Sequence, residues 1–286
     1  MTAAAWTEAI VSTLAVGDAT VTLTDNAAVA DASWPTVVIV HGTGGSTHAH
    51  FWALYPMLAT RYRVVGVDYD PLPESATPLT VAALADQVAT VIKTLADGTR
   101  VHLLGYSLGA VVAVQTAARA DIALASLTLV SGWARTDVHQ RLRIEAWRRL
   151  GAASPEAMPD LLLTSAHSAI YLRQLHDYQL RELQARYRDR RDARKENELN
   201  LRVDVRDETA AITVPTLIVG GALDAMVGAH HSRELFGAIA DARYLEIPAG
   251  HAIPAERPAE LFAAVDDFIT DPSGHPAGSR IQPARI

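Results

Sequence analysis

The chain has 286 residues, of which 49% are hydrophobic and 20% are charged, and this composition is typical of a folded globular protein. The length allows one α/β domain with an insertion or two small domains. The formal net charge of −7 argues against a general nucleic-acid-binding protein, because such proteins need a concentrated basic surface. The absence of cysteine excludes disulfides, thiolate catalysis and Cys-ligated metals.

The first fifteen residues carry Glu8 and lack the basic region of an export signal. No stretch approaches the about 18 apolar residues that a membrane-spanning helix needs. We therefore expect a cytoplasmic protein that does not bind membranes.

In chain order, two short strands are predicted between Ile10 and Thr24 around the turn at Gly17-Asp18, and their alternating pattern favours an antiparallel edge. Uninterrupted apolar runs predict further strands that are covered on both faces, as in a parallel sheet. These runs are Thr36–Val40, Tyr62–Tyr69, Val101–Leu104, Leu127–Val130, Val214–Gly221 and Tyr244–Pro248. Helical spacing predicts helices at Phe51–Ala59, Thr80–Leu95 and Pro258–Ile269, with Thr80 as an N-cap.

Residues 137–206, called the inserted segment below, contain no convincing strand and predict an all-helical cap between two strands of one sheet. The predicted organisation is an α/β core over residues 1–136 and 207–270, this cap, and a disordered tail rich in Pro, Gly and Ser over 271–286. Between His139 and Arg206 there are 14 basic and 10 acidic residues, which makes this stretch about +4 and the rest −11. The excess indicates either a positive rim for an anionic or carrier-borne substrate, or ordinary solvated helix faces.

A nucleophile elbow is predicted at Gly105-Tyr106-Ser107-Leu108-Gly109, because an apolar strand precedes it and an Ala/Val-rich helix follows it. The two glycines leave room for a tight turn that exposes the Ser107 hydroxyl. The Leu108 amide, at the start of the helix, is placed to stabilise an oxyanion.

A second loop, His41-Gly42-Thr43-Gly44-Gly45, follows another predicted strand and favours a second amide donor from Thr43 or Gly44. It lacks the Gly-Lys-Ser/Thr ending of a phosphate-binding loop. We expect His41 to hold the backbone of this loop.

Ser107 needs a histidine base and a carboxylate to orient that base. His251 is the preferred base, because it follows the last predicted strand on a short loop, and His102 is expected to be packed inside the sheet. Asp224 is the preferred acid, with the helix N-cap as its structural alternative and Asp68, Asp70 and Asp137 as other candidates. The pairs His48/His50 and His230/His231 come without a carboxylate at ligand spacing, so no metal site is predicted.

On these residues the chain resembles the α/β-hydrolase superfamily, and most of all its capped esterase, enol-lactonase and cofactor-free haloperoxidase-like group. The resemblance covers about Ile10 to Ile269 and rests on the His41–Gly44 loop, the elbow, Asp224, Gly250-His251 and the inserted helices. It implies a mostly parallel sheet flanked by helices, a Ser107–Asp224–His251 triad and no cofactor. Many relatives have a proline shortly after the acid, where this chain has Val227.

The expected chemistry is hydrolysis of an ester, thioester or lactone of a small, largely apolar molecule. The substrate is either free or bound to a carrier or to CoA. Gly44, Tyr106, Trp133 and Trp147 are the predicted pocket residues, beside Thr43 and Leu108 as oxyanion donors. Two alternatives remain open: a biosynthetic thioesterase or cyclase, and a non-hydrolytic small-molecule receptor. The sequence indicates no oligomeric state.

Overall fold

The structure is a computed structural model that describes residues 6–71, 78–95 and 101–284. Its centre is one nine-stranded sheet with the order β1-β2-β4-β3-β5-β6-β7-β8-β9. The β1–β2 and β2–β4 pairs are antiparallel, and every pair from β4 to β9 along that order is parallel. The strands are β1 (Ile10–Val16), β2 (Ala19–Asp25), β3 (Thr36–Val40), β4 (Arg63–Asp68), β5 (Val101–Tyr106), β6 (Ser126–Val130), β7 (Thr216–Gly221), β8 (Ala242–Ile247) and β9 (Arg280–Ile281).

Helices fill the connections between the parallel strands. They are α1 (Thr47–Phe51), α2 (Leu54–Leu58), α3 (Val81–Leu95), α4 (Leu108–Ala117), α5 (Val138–Ala153), α6 (Met158–Ala166), α7 (Ala169–Gln174), α8 (Asp177–Arg188), α9 (Arg194–Asn200), α10 (Arg206–Ala210), α11 (Ala229–Ala238), α12 (Ile253–Glu256) and α13 (Pro258–Thr270), with a 3₁₀ turn at Pro155–Ala157. Within the described residues, no helix has both the length and the apolar character needed to cross a bilayer.

The sheet is buried on both faces, because helices pack against each side of it. One hydrophobic cluster joins the sheet to α3, α4 and α11, and a second joins it to α2 and α13. All residues of the central strands β3, β5, β6 and β7 are buried, which explains why their sequences lack polar alternation. The predicted α/β-hydrolase architecture and its antiparallel edge are therefore confirmed.

Local signals place most element ends where the sequence predicted them. Thr80 caps α3, since its Oγ1 accepts a hydrogen bond from the Ala83 amide at 3.1 Å. The single helix predicted over Phe51–Ala59 is instead the pair α1 and α2, which meet at Trp52 and Ala53. The inserted segment is helical from α5 to α9, with one isolated bridge between Arg135 and Asp204 at its base.

The prediction that residues 271–286 are disordered was wrong for the part that the structure describes, and Tyr244–Pro248 is not the last strand. Turns lead to β9, which pairs in parallel with β8. The buried Arg243 guanidinium donates to the His275 carbonyl at 2.7 Å and to the Asp241 carbonyl at 3.0 Å. The Pro, Gly and Ser content suggested disorder, because composition could not show that β8 offers this segment an open edge and a buried cation.

Removing the residues after Asp271 should destabilise the chain, because β8 loses its outer partner and Arg243 loses the His275 carbonyl. We expect a deletion of residues 272–286 to lower the free energy of unfolding by about 1–3 kcal/mol, measured by chemical denaturation. A deletion of residues 282–286, which spares β9, is the matched control. Equal stability of the two truncated chains would contradict this role for β9.

Candidate active site

The backbone at Ser107 adopts a conformation that L-residues rarely take, with φ 57° and ψ −122°, at the junction of β5 and α4. Neighbouring glycines allow this turn. A Cβ on Gly105 would lie 2.3 Å from the Gly109 carbonyl oxygen, and a Cβ on Gly109 would lie 2.1 Å from the Val40 carbonyl oxygen. The predicted elbow is therefore formed by close backbone packing that any side chain at these two positions would block.

The elbow is also anchored to the next strand. The Ser107 amide donates to the Val130 carbonyl at the end of β6, at 2.9 Å. Leu108 is the first residue of α4, so its amide has no carbonyl partner within the helix. The N–H of such a residue points out of the N-terminal end of the helix. This amide is available to a ligand atom bound beside Ser107.

A hydrogen-bond chain joins the three predicted residues Ser107, His251 and Asp224. The His251 Nε2 lies 2.9 Å from the Ser107 Oγ, and its Nδ1 lies 2.8 Å from the Asp224 Oδ2. The three come from the carboxyl ends of β5, β7 and β8, which are brought to one edge by the parallel register of the sheet. The Asp224 side chain is fully buried and that of His251 is 5% exposed, so water does not compete with this contact.

The loop that carries Asp224 is shaped by the carboxylate itself. Its Oδ1 accepts hydrogen bonds from the Met226 amide at 2.7 Å and from the Val227 amide at 2.8 Å. A proline at 227 could not donate, so Val227, which departs from many relatives, supplies one of these two bonds. Asp224 is not the N-cap of α11, because that position belongs to Gly228.

The His251 loop is held by two buried residues that the sequence did not single out. The Glu256 carboxylate accepts from the Gly250 amide at 3.1 Å, and it also accepts from the amide and hydroxyl of Ser168 in the inserted segment. Ser131, which has φ 50°, donates from its Oγ to the His251 carbonyl at 3.1 Å. No sequence signal identified either residue. The turn after β6 at Ser131 reads Ser-Gly-Trp, which is not a motif for this role.

The second predicted loop lies against the nucleophile. A Cβ on Gly42 would come within 2.8 Å of the Ser107 Cβ. The Gly42 amide donates to His50 Nδ1 at 3.0 Å, and burial keeps the pKa of His50 well below its ordinary value, so that nitrogen is free to accept. As predicted, His41 lies against the loop backbone, with Nδ1 at 2.8 Å from the Gly42 carbonyl oxygen and its ring stacked on Tyr69.

The inserted segment binds the same loop from the other side. Arg190 donates to the Thr43 carbonyl, Arg191 donates to the Gly45 carbonyl at 2.9 Å, and the Asn200 amide donates to the Thr43 Oγ1 at 2.8 Å. The loop's carbonyl oxygens are therefore bound by cationic donors. The Thr43 carbonyl and hydroxyl are thus already bonded within the protein.

A cavity of about 810 Å³ lies between the sheet edge and the inserted segment, and Ser107 and His251 open into it. This is a volume that suits a small-molecule ligand. Tyr106, Trp133 and Trp147 line the cavity as predicted, and Thr43, predicted as an oxyanion donor, lines it too. Gly44 does not: it adopts φ 63°, and its α-carbon faces Ala193 and Arg190 instead.

The other candidate acids and histidines have different surroundings. Asp68 accepts from the Thr47 amide and hydroxyl, and Asp70 accepts from the Thr20 amide. His102 Nδ1 lies 2.7 Å from the Ser126 Oγ within the sheet, as expected, and the exposed His48 packs on Trp6.

Asp137 caps α5 and lies beside the pair His230 and His231. Its Oδ2 lies 3.2 Å from His230 Nε2 and 3.3 Å from His231 Nε2. The three ligand atoms lie within 4.8 Å of one another, so the fold supplies the carboxylate that the sequence spacing lacked. This group lies outside the cavity lining. His230 Nε2 is hydrogen-bonded to the Asp137 Oδ2, whereas neither ring nitrogen of the buried His231 has a hydrogen-bond partner among the described residues.

The sequence model of the α/β hydrolase fold matches residues 35–258. Over 250 residues the chain is 28% identical to the pyrrolizixenacetamide deacetylase of Xenorhabdus hominickii, with 84% of this chain and 92% of that protein covered. It is 31% identical over 238 residues to the "Putative carbamate hydrolase RutD" of Klebsiella pneumoniae strain 342, with 78% and 88% covered.

Among solved structures, the enol-lactonase of Burkholderia xenovorans LB400 superposes with a TM-score of 0.74 at 23% identity, over 91% of this chain and 100% of that one. This likeness supports the fold. With the family match spanning most of the sheet and reaching past the histidine loop, the chain belongs to the α/β hydrolase fold family and is a hydrolase.

Proposed function

We propose that the chain is a serine hydrolase that cleaves an ester, thioester or lactone of a small molecule through a covalent acyl-enzyme. The observation that carries the proposal is the hydrogen-bond chain from Asp224 through His251 to the Ser107 hydroxyl. In this arrangement Asp224 accepts a hydrogen bond from His251 Nδ1–H, which leaves Nε2 to accept the serine proton.

The first step is attack of the Ser107 Oγ on a carbonyl carbon as His251 takes the serine proton. The negative charge on the carbonyl oxygen is stabilised by the amides of Leu108 and Thr43. His251 then returns the proton to the leaving group. In the second step it activates a water molecule, which releases the acid and restores the serine. No cofactor is needed for either step.

The relatives support this reaction class, since an acetyl group, a carbamate and an enol lactone all contain the carbonyl carbon that such a serine attacks. The apolar part of the cavity wall, with Trp133, Trp147 and Tyr106, suits an apolar portion of the substrate. We further propose that the inserted segment acts as a cap that forms the pocket. The cytoplasmic location expected from the sequence stays a prediction.

A fluorophosphonate probe tests the activated serine directly. We expect intact-mass analysis to show one adduct on the native chain and none on Ser107→Ala or His251→Ala, because labelling needs both the nucleophile and its base. His48→Ala, which changes an exposed histidine away from the cavity, is the matched control and should label fully. A folded native chain that gains no adduct would overturn the proposal.

The choice of acid has its own test. We expect Asp224→Asn to lower kcat on a short-chain nitrophenyl ester by about 10³–10⁴-fold, because the amide can hold His251 in the wrong tautomer and has no negative charge to stabilise the imidazolium. Asp137→Asn, at the alternative acid, should stay within a few-fold of the native rate. Equal losses in the two variants would remove Asp224 from its assigned role.

A further inference from the structure

The cavity wall carries more positive charge than its own acidic groups neutralise. Six arginines line it, against two acidic residues, Asp192 and Glu198. Two of the six are paired, Arg191 with Glu196 and Arg194 with Asp192. Within the described part of the chain, the other four make no ion pair: Arg143, Arg148, Arg186 and Arg190. Arg148 and Arg186 are exposed to solvent, whereas Arg143 and Arg190 are partly buried, so only for the latter two is the lack of a counter-charge costly.

Of these four arginines, Arg143 is the best candidate to bind an anion. It lies on α5, on a helix face whose residues at spacings of three and four line the cavity, with Gln140 one turn before it and Trp147 one turn after it. Its NH1 donates to the Ala225 carbonyl at 2.8 Å, next to the acid Asp224. Its Nε is buried and has no hydrogen-bond partner.

The aromatic rings of the wall fix the direction of the guanidinium groups. Arg143 lies over the Trp147 ring at 5.1 Å, Arg186 over Trp52 at 4.9 Å and Arg190 over Tyr187 at 5.6 Å. Stacking covers the face of a guanidinium and leaves its N–H edge free to donate, which is the geometry that binds carboxylate or phosphate oxygens. The Asp224 and Asp137 carboxylates interact electrostatically with Arg143, but both are already hydrogen-bonded elsewhere.

These observations have one consequence for the ligand. We propose that the cavity contains an anion subsite centred on Arg143, so that the hydrolysed molecule bears a carboxylate or phosphate group away from the bond that Ser107 attacks. The claim rests on the proposed function for the reaction, but the subsite itself is a binding property. Arg148, Arg186 and Arg190 add to the positive potential of the same wall, while the tryptophans contact the apolar portion between the two ends.

Arg190 differs from Arg143 because it also binds the loop that contains Thr43. Because it donates to the Thr43 carbonyl, a change at Arg190 would disturb the oxyanion loop for any substrate. Within the described residues, Arg143 makes no hydrogen bond or ion pair to that loop. It is therefore the position at which recognition of the anion can be separated from the chemistry.

A matched pair of esters tests the subsite. We expect the native chain to hydrolyse mono-4-nitrophenyl glutarate with a lower KM than its neutral methyl ester. In Arg143→Gln, kcat/KM for the anionic ester should fall at least about tenfold more than for the neutral one, the size expected for loss of a charge-assisted contact. Arg181→Gln, which changes an exposed arginine outside the cavity, should keep the native preference. Acetyl-coenzyme A, assayed by thiol release, shows whether phosphate serves instead of carboxylate.

Binding without turnover separates this proposal from the proposed function. Titration of Ser107→Ala with glutarate should quench the fluorescence of the cavity tryptophans, and glutaramide should not. If glutarate binds while the native chain resists the fluorophosphonate, the reaction assignment fails and the subsite stands. If the native chain labels normally, shows no preference between the two esters and does not bind glutarate, the subsite is overturned. Equal losses on both esters in Arg143→Gln would also overturn it, because they would reduce Arg143 to a support for the Ala225 loop.

Discussion

The site depends on one backbone constraint, the positive φ of Ser107 at the end of the central strand β5. Such a conformation costs about 1–3 kcal/mol and persists only where its surroundings enforce it. Here the enforcement comes from three directions: the Ser107 amide is bonded to β6, Gly105 packs on the Gly109 carbonyl, and Gly109 packs on β3. These contacts therefore hold the Ser107 hydroxyl above the sheet edge, and the sheet, rather than the loop, fixes its position.

Asp224 and His251, the proposed acid and base, are joined to that edge by bonds between their own loops. The Leu223 amide donates to the Ala249 carbonyl at 3.0 Å, so the two loops that carry Asp224 and His251 are linked directly. Ser131 ties the His251 carbonyl to the end of β6, next to the residue that anchors Ser107. The distances among Ser107, His251 and Asp224 thus follow from the register of β5, β6, β7 and β8, and in the proposed reaction preorganisation of this kind needs no motion at the moment of attack.

The sequence was sufficient for the features that depend on local chain geometry. A glycine pattern predicts the elbow, and the convergence of parallel strand ends selects Asp224 and His251 from many candidates. The sequence was insufficient to predict contacts between distant parts of the chain. Glu256, Arg143 and Arg190 gain their roles only from the way the inserted helices cross the sheet edge, which helical periodicity does not specify. Gly44 failed as a pocket residue for the same reason, because the helices above the loop determine which of its sides is covered.

The inserted segment has two connected effects on the site. Its arginines complete the cavity wall, and Arg190, Arg191 and Asn200 bind carbonyl oxygens and a hydroxyl of the loop that contains Thr43. The packing of the inserted helices and the geometry of this loop beside Ser107 therefore depend on the same three side chains. Arg191 also forms an ion pair with the fully buried Glu196 of α9. Glu196 therefore links the packing of α9 to the geometry around Ser107.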